Sequence, residues 1–232
     1  MIFHSPKILF PLFAAVFLFG CASESHQKIE VQKSSSAENA SSYRGPKKPI
    51  MVGNFDNKSN YMRGMFTDGE DRLGSQAKTV LVAHLQQTKR FSVLDRDSMK
   101  DLEREAKIKN TAQKIKGADF VVTGDVAEFG RKNTGDKQLF GILGSGKKQI
   151  AYSKVTLNVL DVLSSEVVFS ASGAGEYALS DREVLGFGGS SGYDSTLNGK
   201  VLDLAMREAV DRLVEGLENG EWSLEQSKAE QK

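Results

Sequence analysis

The sequence predicts an α/β sandwich: a mixed β-sheet with helices packed on it, and two stretches that extend beyond it. Three observations carry this reading. Segments with helical spacing and segments with strand alternation take turns along the first half of the chain, as crossovers between neighbouring strands require. The clearest alternation, IAYSKVTLNVLDV (150–162), is followed after Ser164-Ser165 by a second alternating run, which predicts a β-hairpin. A long amphipathic helix then follows.

The elements come in order. PIMVGNF (49–55) places Ile50, Val52 and Phe55 in a first strand, with Gly53 a candidate bulge. A polar loop, DNKSNYMRGMFTDGEDRLG (56–74), leads to Leu73, Ala77, Val80, Leu81 and Leu85 at helical spacing, a helix over 71–89. FSVLDR (91–96) reads as a short strand. Asp97 or Ser98 caps a helix over 98–107 that carries Met99, Leu102 and Ala106. Residues 111–116 read as one more helical turn, ended by Gly117.

ADFVVTGDVAEF (118–129) opens with strong β-formers. The run 150–162 sets Val155, Leu157 and Val159 against Lys154, Thr156 and Asn158. EVVFSASGAGEYAL (166–179) alternates through Val167, Phe169, Ala171 and Tyr177. In GKVLDLAMREAVDRLVEGL (199–217), Leu202, Ala205, Met206, Ala209, Leu213 and Leu217 share one side of a helix, and Trp222 follows it.

The two ends of the chain read differently. MIFHSPKILFPLFAAVFLFG (1–20) has the charged, apolar and small-residue order of a secretory signal peptide, and its apolar run is short for a spanning helix of roughly 20 residues. Leu18-Phe19-Gly20-Cys21 resembles the bacterial lipobox, in which the cysteine is acylated and becomes the first mature residue. Cys21 is the only cysteine of the chain, and lipid attachment gives it a purpose. Several acyl chains, palmitate among them, make a firm anchor, whereas one alone holds weakly. Ala22 rather than aspartate follows it, which favours the outer membrane over the inner one. Residues 21–47 are rich in Ser, Lys, Glu and Ala and read as a lipidated N-terminus and flexible tether. The folded domain is expected over 48–224, with 225–232 a frayed tail.

Composition narrows the chemistry. Lys and Arg number 31 against 30 Asp and Glu, which argues against a nucleic-acid binder. GILGSGKK (141–148) comes near a phosphate-binding loop. Lys148 stands where a hydroxyl belongs, and the following residues alternate like a strand instead of opening a helix. Of the three histidines, His4 lies in the signal peptide, His26 in the tether and His84 on the first long helix. No pair has metal spacing. No nucleophile stands with a base and an orienting acid. The expectation is a protein without cofactor and without enzymatic activity.

Several stretches together resemble the family of outer-membrane lipoproteins that includes CsgG, the curli secretion pore, and HfaB. KTVLVAHLQQTKRFSVLDRDSMKDLEREAKI (78–108) is similar to its first helix, strand and second helix, and ADFVVTGDVAEF to its central strand. LFGILGSGKKQIAYSKVTLNVLDVLSSEVVFSASG (139–173) is similar to its strand, turn and strand, and LENGEWSLEQSKAEQK to its Trp-containing end. The resemblance implies a lipid-anchored domain facing the periplasm that sends two β-hairpins into the outer membrane. Four strands cannot close a barrel alone, and open edges in lipid cost several kcal/mol per unpaired group, so it also implies a homo-oligomeric ring with a shared barrel. Such a pore passes secreted fibre or adhesin subunits without nucleotide hydrolysis.

The hairpins that the resemblance implies are 128–152 and 170–198. Arg131, Lys132, Asp136 and Lys137 crowd the first against lipid, while Ile150 and Tyr152 fit its return strand. In the second, Phe169, Ala171, Tyr177 and Leu179 descend, and Leu185 and Phe187 return. The pore's constriction is implied in the loop before the first helix. There Tyr61, Met62, Met65 and Phe66 are the candidates, with spacing that departs from the family's aromatic and Asn-Phe arrangement, and Asp68, Glu70 and Asp71 add negative charge. The alternative is a periplasmic lipid-anchored adaptor, similar to LpoB, that binds and regulates a partner protein without membrane hairpins.

Overall fold

A computed structural model of the chain describes residues 33–61, 71–137, 145–183 and 196–222. The described strands form one five-stranded mixed sheet in the order β2-β1-β3-β4-β5. Strand β1 (Lys48–Asn57) lies parallel to both β2 (Phe91–Leu94) and β3 (Phe120–Lys137). Helix α2 (Arg72–Gln87) crosses from β1 to β2, and α3 (Met99–Ile108) leads from β2 to β3. Strands β3, β4 (Ser145–Asp161) and β5 (Val167–Glu183) are antiparallel neighbours, and α4 (Thr196–Glu218) follows.

Two irregularities shape the sheet. The β1–β3 register shifts between Val52 and Phe55, at the glycine expected as a bulge. The β3–β4 register shifts between Val126 and Glu128. One extra residue reverses the strand's alternation. The second shift therefore keeps Val126 and Phe129 on the same face, and both are buried.

Helices α2 and α4 cover that face. Leu73, Ala77, Leu81 and Leu85 of α2 meet Ile50, Val52 and Phe55 of β1 in one buried cluster. Val201, Leu202, Ala205, Met206, Ala209 and Leu213 of α4 join Val155, Leu157 and Val159 of β4 in the same cluster. His84 Nε2 and Asp203 Oδ1, 2.8 Å apart, tie α2 to α4. Helix α4 runs so close to β5 that a Cβ at Gly173 would collide with the Ala205 carbonyl oxygen and stand 2.5 Å from the Ala209 nitrogen. Trp222 closes the core's far end. It is fully buried among Phe91, Phe120 and Phe169, and its Nε1 donates to the Leu213 carbonyl at 3.2 Å.

The structure departs from the sequence reading in several places. The described part of the stretch expected as tether packs on the domain. Residues 35–38 form a short helix, α1 (Ser35–Glu38), capped by Ser34, and Ala37 and Ala40 are buried. The Ser35 and Ser36 amides donate to Asp211 at 2.9 and 2.8 Å, and Arg90 Nη1 donates to the Ser36 carbonyl at 3.0 Å. Those partners lie far along the chain, so local composition could not reveal them. Residues 111–116 are not helical. Asn110, with φ at 53°, turns the chain out of α3, and the Thr111 amide donates back to the Ala106 carbonyl at 3.0 Å. Strand β3 continues to Lys137 and β4 begins at Ser145, because each ladder supplies the other's hydrogen bonds whatever the side chains. Helix α4 begins at Thr196, ahead of the expected 199. No helix of the described residues is long and apolar enough to cross a membrane, which leaves open a crossing by strands.

Candidate functional site

The two described ends of the loop between β1 and α2 meet in a narrow neck. Asp71 closes it. Its Oδ2 accepts from the Asn57 amide at 2.6 Å, and its Oδ1 accepts from the Gly74 amide at 2.8 Å, capping α2. A Cβ at Gly74 would strike both Asp71 Oδ2 and the Phe55 carbonyl, so only glycine fits beside the closed neck. On the other side Asn57 folds the chain over itself. Its Oδ1 accepts from the Ser59 amide and hydroxyl at 3.0 and 2.6 Å, and its Nδ2 donates to the Tyr61 carbonyl at 3.0 Å. The Lys58 and Ser59 amides donate to the Val126 carbonyl of β3 at 3.0 and 3.1 Å.

Tyr61 then joins three elements. Its ring lies 4.7 Å from that of Phe129 on β3. Its hydroxyl accepts from Asn198 Nδ2 of α4 at 2.8 Å, and Asn198 Oδ1 accepts from Arg131 Nε of β3 at 2.8 Å. Burial pushes the nearby Asp125 carboxyl above its ordinary range, and Asp56 adds to this while Lys58 opposes it. The chemistry here is positional. Among the described residues no three His, Cys, Asp or Glu side chains gather as a metal site. The arrangement fixes where the loop leaves the body, against the root of a long strand pair.

That strand pair is part of an arm. Beyond Phe129, strands β3, β4 and β5 run on together to the rung Lys137–Ser145–Glu183, with β1 no longer beside β3. Eight residues of strand extend about 26 Å at roughly 3.3 Å each. Ile150 is half-buried on the rung Lys132–Ile150–Ala178. Tyr152 sits on the rung Gly130–Tyr152–Glu176, where its ring fills the place a Cβ on Gly130 would take and Lys132 Nζ stands 5.1 Å from its centroid. Tyr177 shares the rung of Arg131 and Ala151, with Lys200 Nζ 5.2 Å from its ring. Leu179 stands on the rung of Asn133 and Gln149.

Two residues expected on the second membrane strand belong elsewhere. Ala171 is buried and Phe169 packs against the core, its ring 6.2 Å from Trp222. Both face the helical layer, so neither can turn to lipid. Met62, Met65, Phe66, Leu185, Phe187 and Cys21 lie outside the described residues. Sequence reasoning missed Asn57, Phe129, Arg131 and Asn198. The polar run DNKSN and an Asp ahead of a helix were the available signals.

Replacing Asp71 by Ala opens the neck and removes the cap of α2. A loss of about 1–2 kcal/mol in urea unfolding is expected, with faster proteolytic nicking between residues 58 and 70. Asp71→Asn, which keeps one acceptor oxygen, is expected to fall between.

The family model of the curli production assembly/transport component CsgG matches residues 30–232. Putative lipoprotein NMB1126/NMB1164 of Neisseria meningitidis serogroup B is 62% identical over 209 residues, covering 90% of this chain and 93% of that protein. Among solved structures, the PelC dodecamer from Paraburkholderia phytofirmans is 16% identical, with a TM-score of 0.35 over 71% of this chain and 87% of that one. Lipoprotein GNA1162 from Neisseria meningitidis is 17% identical, with a TM-score of 0.32 over 75% and 99%.

Proposed function

The chain belongs to the family of the curli production assembly/transport component CsgG, and from that premise we propose that it is a lipid-anchored envelope protein, held at the outer membrane by acylated Cys21 and working as a homo-oligomeric ring. The ring guides or anchors secreted fibre or adhesin subunits. It carries no catalytic step and needs no cofactor.

One observation carries this reading: among the described residues the arm has two open edges. On one side β3 runs past Val126 without β1, and on the other β5 is the last strand of the described sheet. Closer to the body the β5 edge is guarded. Arg212 Nη1 donates to the Ser172 carbonyl at 2.8 Å, and the Ala174 amide donates to Glu208 at 3.1 Å. Among the described residues no further side chain bonds the β5 edge past Ala174. A strand edge with unpaired backbone groups recruits another strand, and the β3 edge of a second copy satisfies that need head to tail. The loop held by Asp71 and Tyr61 then lies at the base of the shared wall.

The same arm speaks against a wall immersed in lipid at these rungs. Thr134–Lys148–Ser180 and Asp136–Gly146–Arg182 fall on one alternation, and Gly135–Lys147–Asp181 and Lys137–Ser145–Glu183 on the other. A lipid-facing band needs one of the two sets to be apolar, and neither is. We therefore assign the wall to water. The polar rungs also favour the second reading, a monomeric adaptor that binds a periplasmic partner.

The test is the size of the acylated protein after detergent extraction, by electron microscopy and native mass spectrometry, beside Ala178→Pro. The Ala178 amide points away from β4, so proline removes an outward donor and spares the β4–β5 ladder. A ring in the parent, weakened at least about tenfold in the variant at unchanged melting temperature, is expected. A monomeric parent sinks the ring and leaves the adaptor.

A further inference from the structure

The end of the body opposite the arm carries an exposed surface that neither the ring nor the loop uses. Strands β1 and β3 begin there, and the β4–β5 turn lies beside them. Three of the most exposed large apolar side chains of the described residues belong to the segments that lead to this end: Leu163 at 76%, Ile108 at 71% and Ile115 at 61%. Leu163 belongs to the turn, and the turn meets the segment before β3 where the Val162 amide donates to the Asp119 carbonyl at 3.2 Å.

The two isoleucines stand in KIKNTAQKIK (107–116), ten residues with four lysines and no acid, all exposed. Lys107 reaches back to Glu103 at 2.8 Å, and the other three lysines stand in water. The segment is held at both ends. Asn110 and the Thr111 amide turn it out of α3, and Arg96 Nη2 donates to the Lys116 carbonyl at 2.6 Å. Ile115 is thus presented by a fastened backbone. Exposing it costs hydration free energy that no described residue recovers.

We propose that this surface rests on an anionic phospholipid bilayer, with Ile108, Ile115 and Leu163 entering the headgroup boundary and the lysines meeting lipid phosphates. Apolar side chains beside a run of lysines, three of them exposed and outside any ion pair, match such an interface. Each lysine held at an anionic surface strengthens association roughly fivefold. The patch is made of a turn, the end of α3 and the irregular segment after it, all exposed. A fluid surface can close around exposed apolar side chains, whereas a rigid protein partner would need a matching groove. Chain length allows it. From Cys21 to Lys33 is 12 residue steps, which reach at most about 40 Å fully extended. A body tethered so closely meets the bilayer constantly. With this end on lipid, the polar arm points into water, as its rungs require.

The test uses acylated full-length protein, whose modified Cys21 has no free thiol, carrying Ile115→Cys labelled with the polarity-sensitive dye NBD. It is reconstituted into phosphatidylcholine vesicles with or without a fifth of phosphatidylglycerol. The expected result is blue-shifted, severalfold brighter emission on the anionic vesicles alone. The shift should be lost in high salt and in a variant carrying Lys109→Glu, Lys114→Glu and Lys116→Glu, with circular dichroism unchanged. Water-like emission on anionic vesicles overturns the proposal. So does emission that shifts only when an acidic protein is added, which would assign the surface to a protein partner. The dye reports on lipid contact whether or not the protein forms a ring, so this result and the ring's existence are decided separately.

Discussion

Gly173→Val is expected to abolish the native fold or to lower its stability by about 3 kcal/mol or more, read as the urea midpoint or melting temperature. The obstacle is backbone. A Cβ at this position meets the Ala205 carbonyl oxygen and the Ala209 nitrogen, and neither can rotate aside as a side chain would. The helix must lift from the strand. Lifting α4 separates Ala205, Ala209 and Met206 from the sheet and opens a gap along the largest helix of the core. Gly173→Ala is expected to destabilise in the same sense by about 1–3 kcal/mol. The control is Gly220→Ala, where nothing lies within 4 Å but φ is +75°. A modest loss from backbone strain alone is expected there, about 1 kcal/mol. Equal effects at the two sites would show that close approach at Gly173 does not matter.

Trp222→Ala is expected to cost about 3–5 kcal/mol. The indole stands at the centre of three phenylalanines, with ring centroids at 6.2 Å from Phe91, 5.3 Å from Phe120 and 6.2 Å from Phe169. Removing it leaves a cavity that these rings cannot fill without leaving their own strands. It also strips the Leu213 carbonyl of its indole partner. Trp222→Phe keeps most of the volume and loses only that hydrogen bond and the second ring, so a smaller loss is expected. Chemical unfolding followed by circular dichroism separates the two. A Trp222→Ala protein as stable as the parent would mean that the segment after α4 is not part of the core.

Where the sequence was readable, the reason was periodicity against one buried face. Helix α2 announced itself through Leu73, Ala77, Leu81 and Leu85, and all four are buried. The β4–β5 pair announced itself through Val155, Leu157 and Val159, which are buried too. The arm was harder to read. Its residues Arg131, Lys132, Asp136 and Lys137 carry no apolar alternation, because there the ladder and not a core sets the strand. Phe169 and Ala171 look alike in sequence whether they face lipid or a helix, and only α4 decides between them. The candidate site was half readable. Tyr61 stood out as an aromatic in a polar loop, but its partners Phe129, Arg131 and Asn198 are brought to it by the fold from 68 or more positions along the chain for the first and far more for the last, and no local pattern joins them.

The unguarded stretch of β5 has a further consequence, for the newly folded chain. As far as the described residues go, a lone copy has a free strand edge at both flanks of its arm, and such flanks also nucleate disordered aggregates. Charged residues on a free strand deter that outcome, and the arm is supplied with Lys132, Lys137, Lys147, Lys148 and Arg182. On the proposed assignment of the arm to water, the same polarity also makes it a strand that tolerates waiting, and assembly here means that of the proposed ring. Assembly should therefore be slow and sensitive to ionic strength. Salt that screens the lysines would speed orderly pairing and misassociation alike.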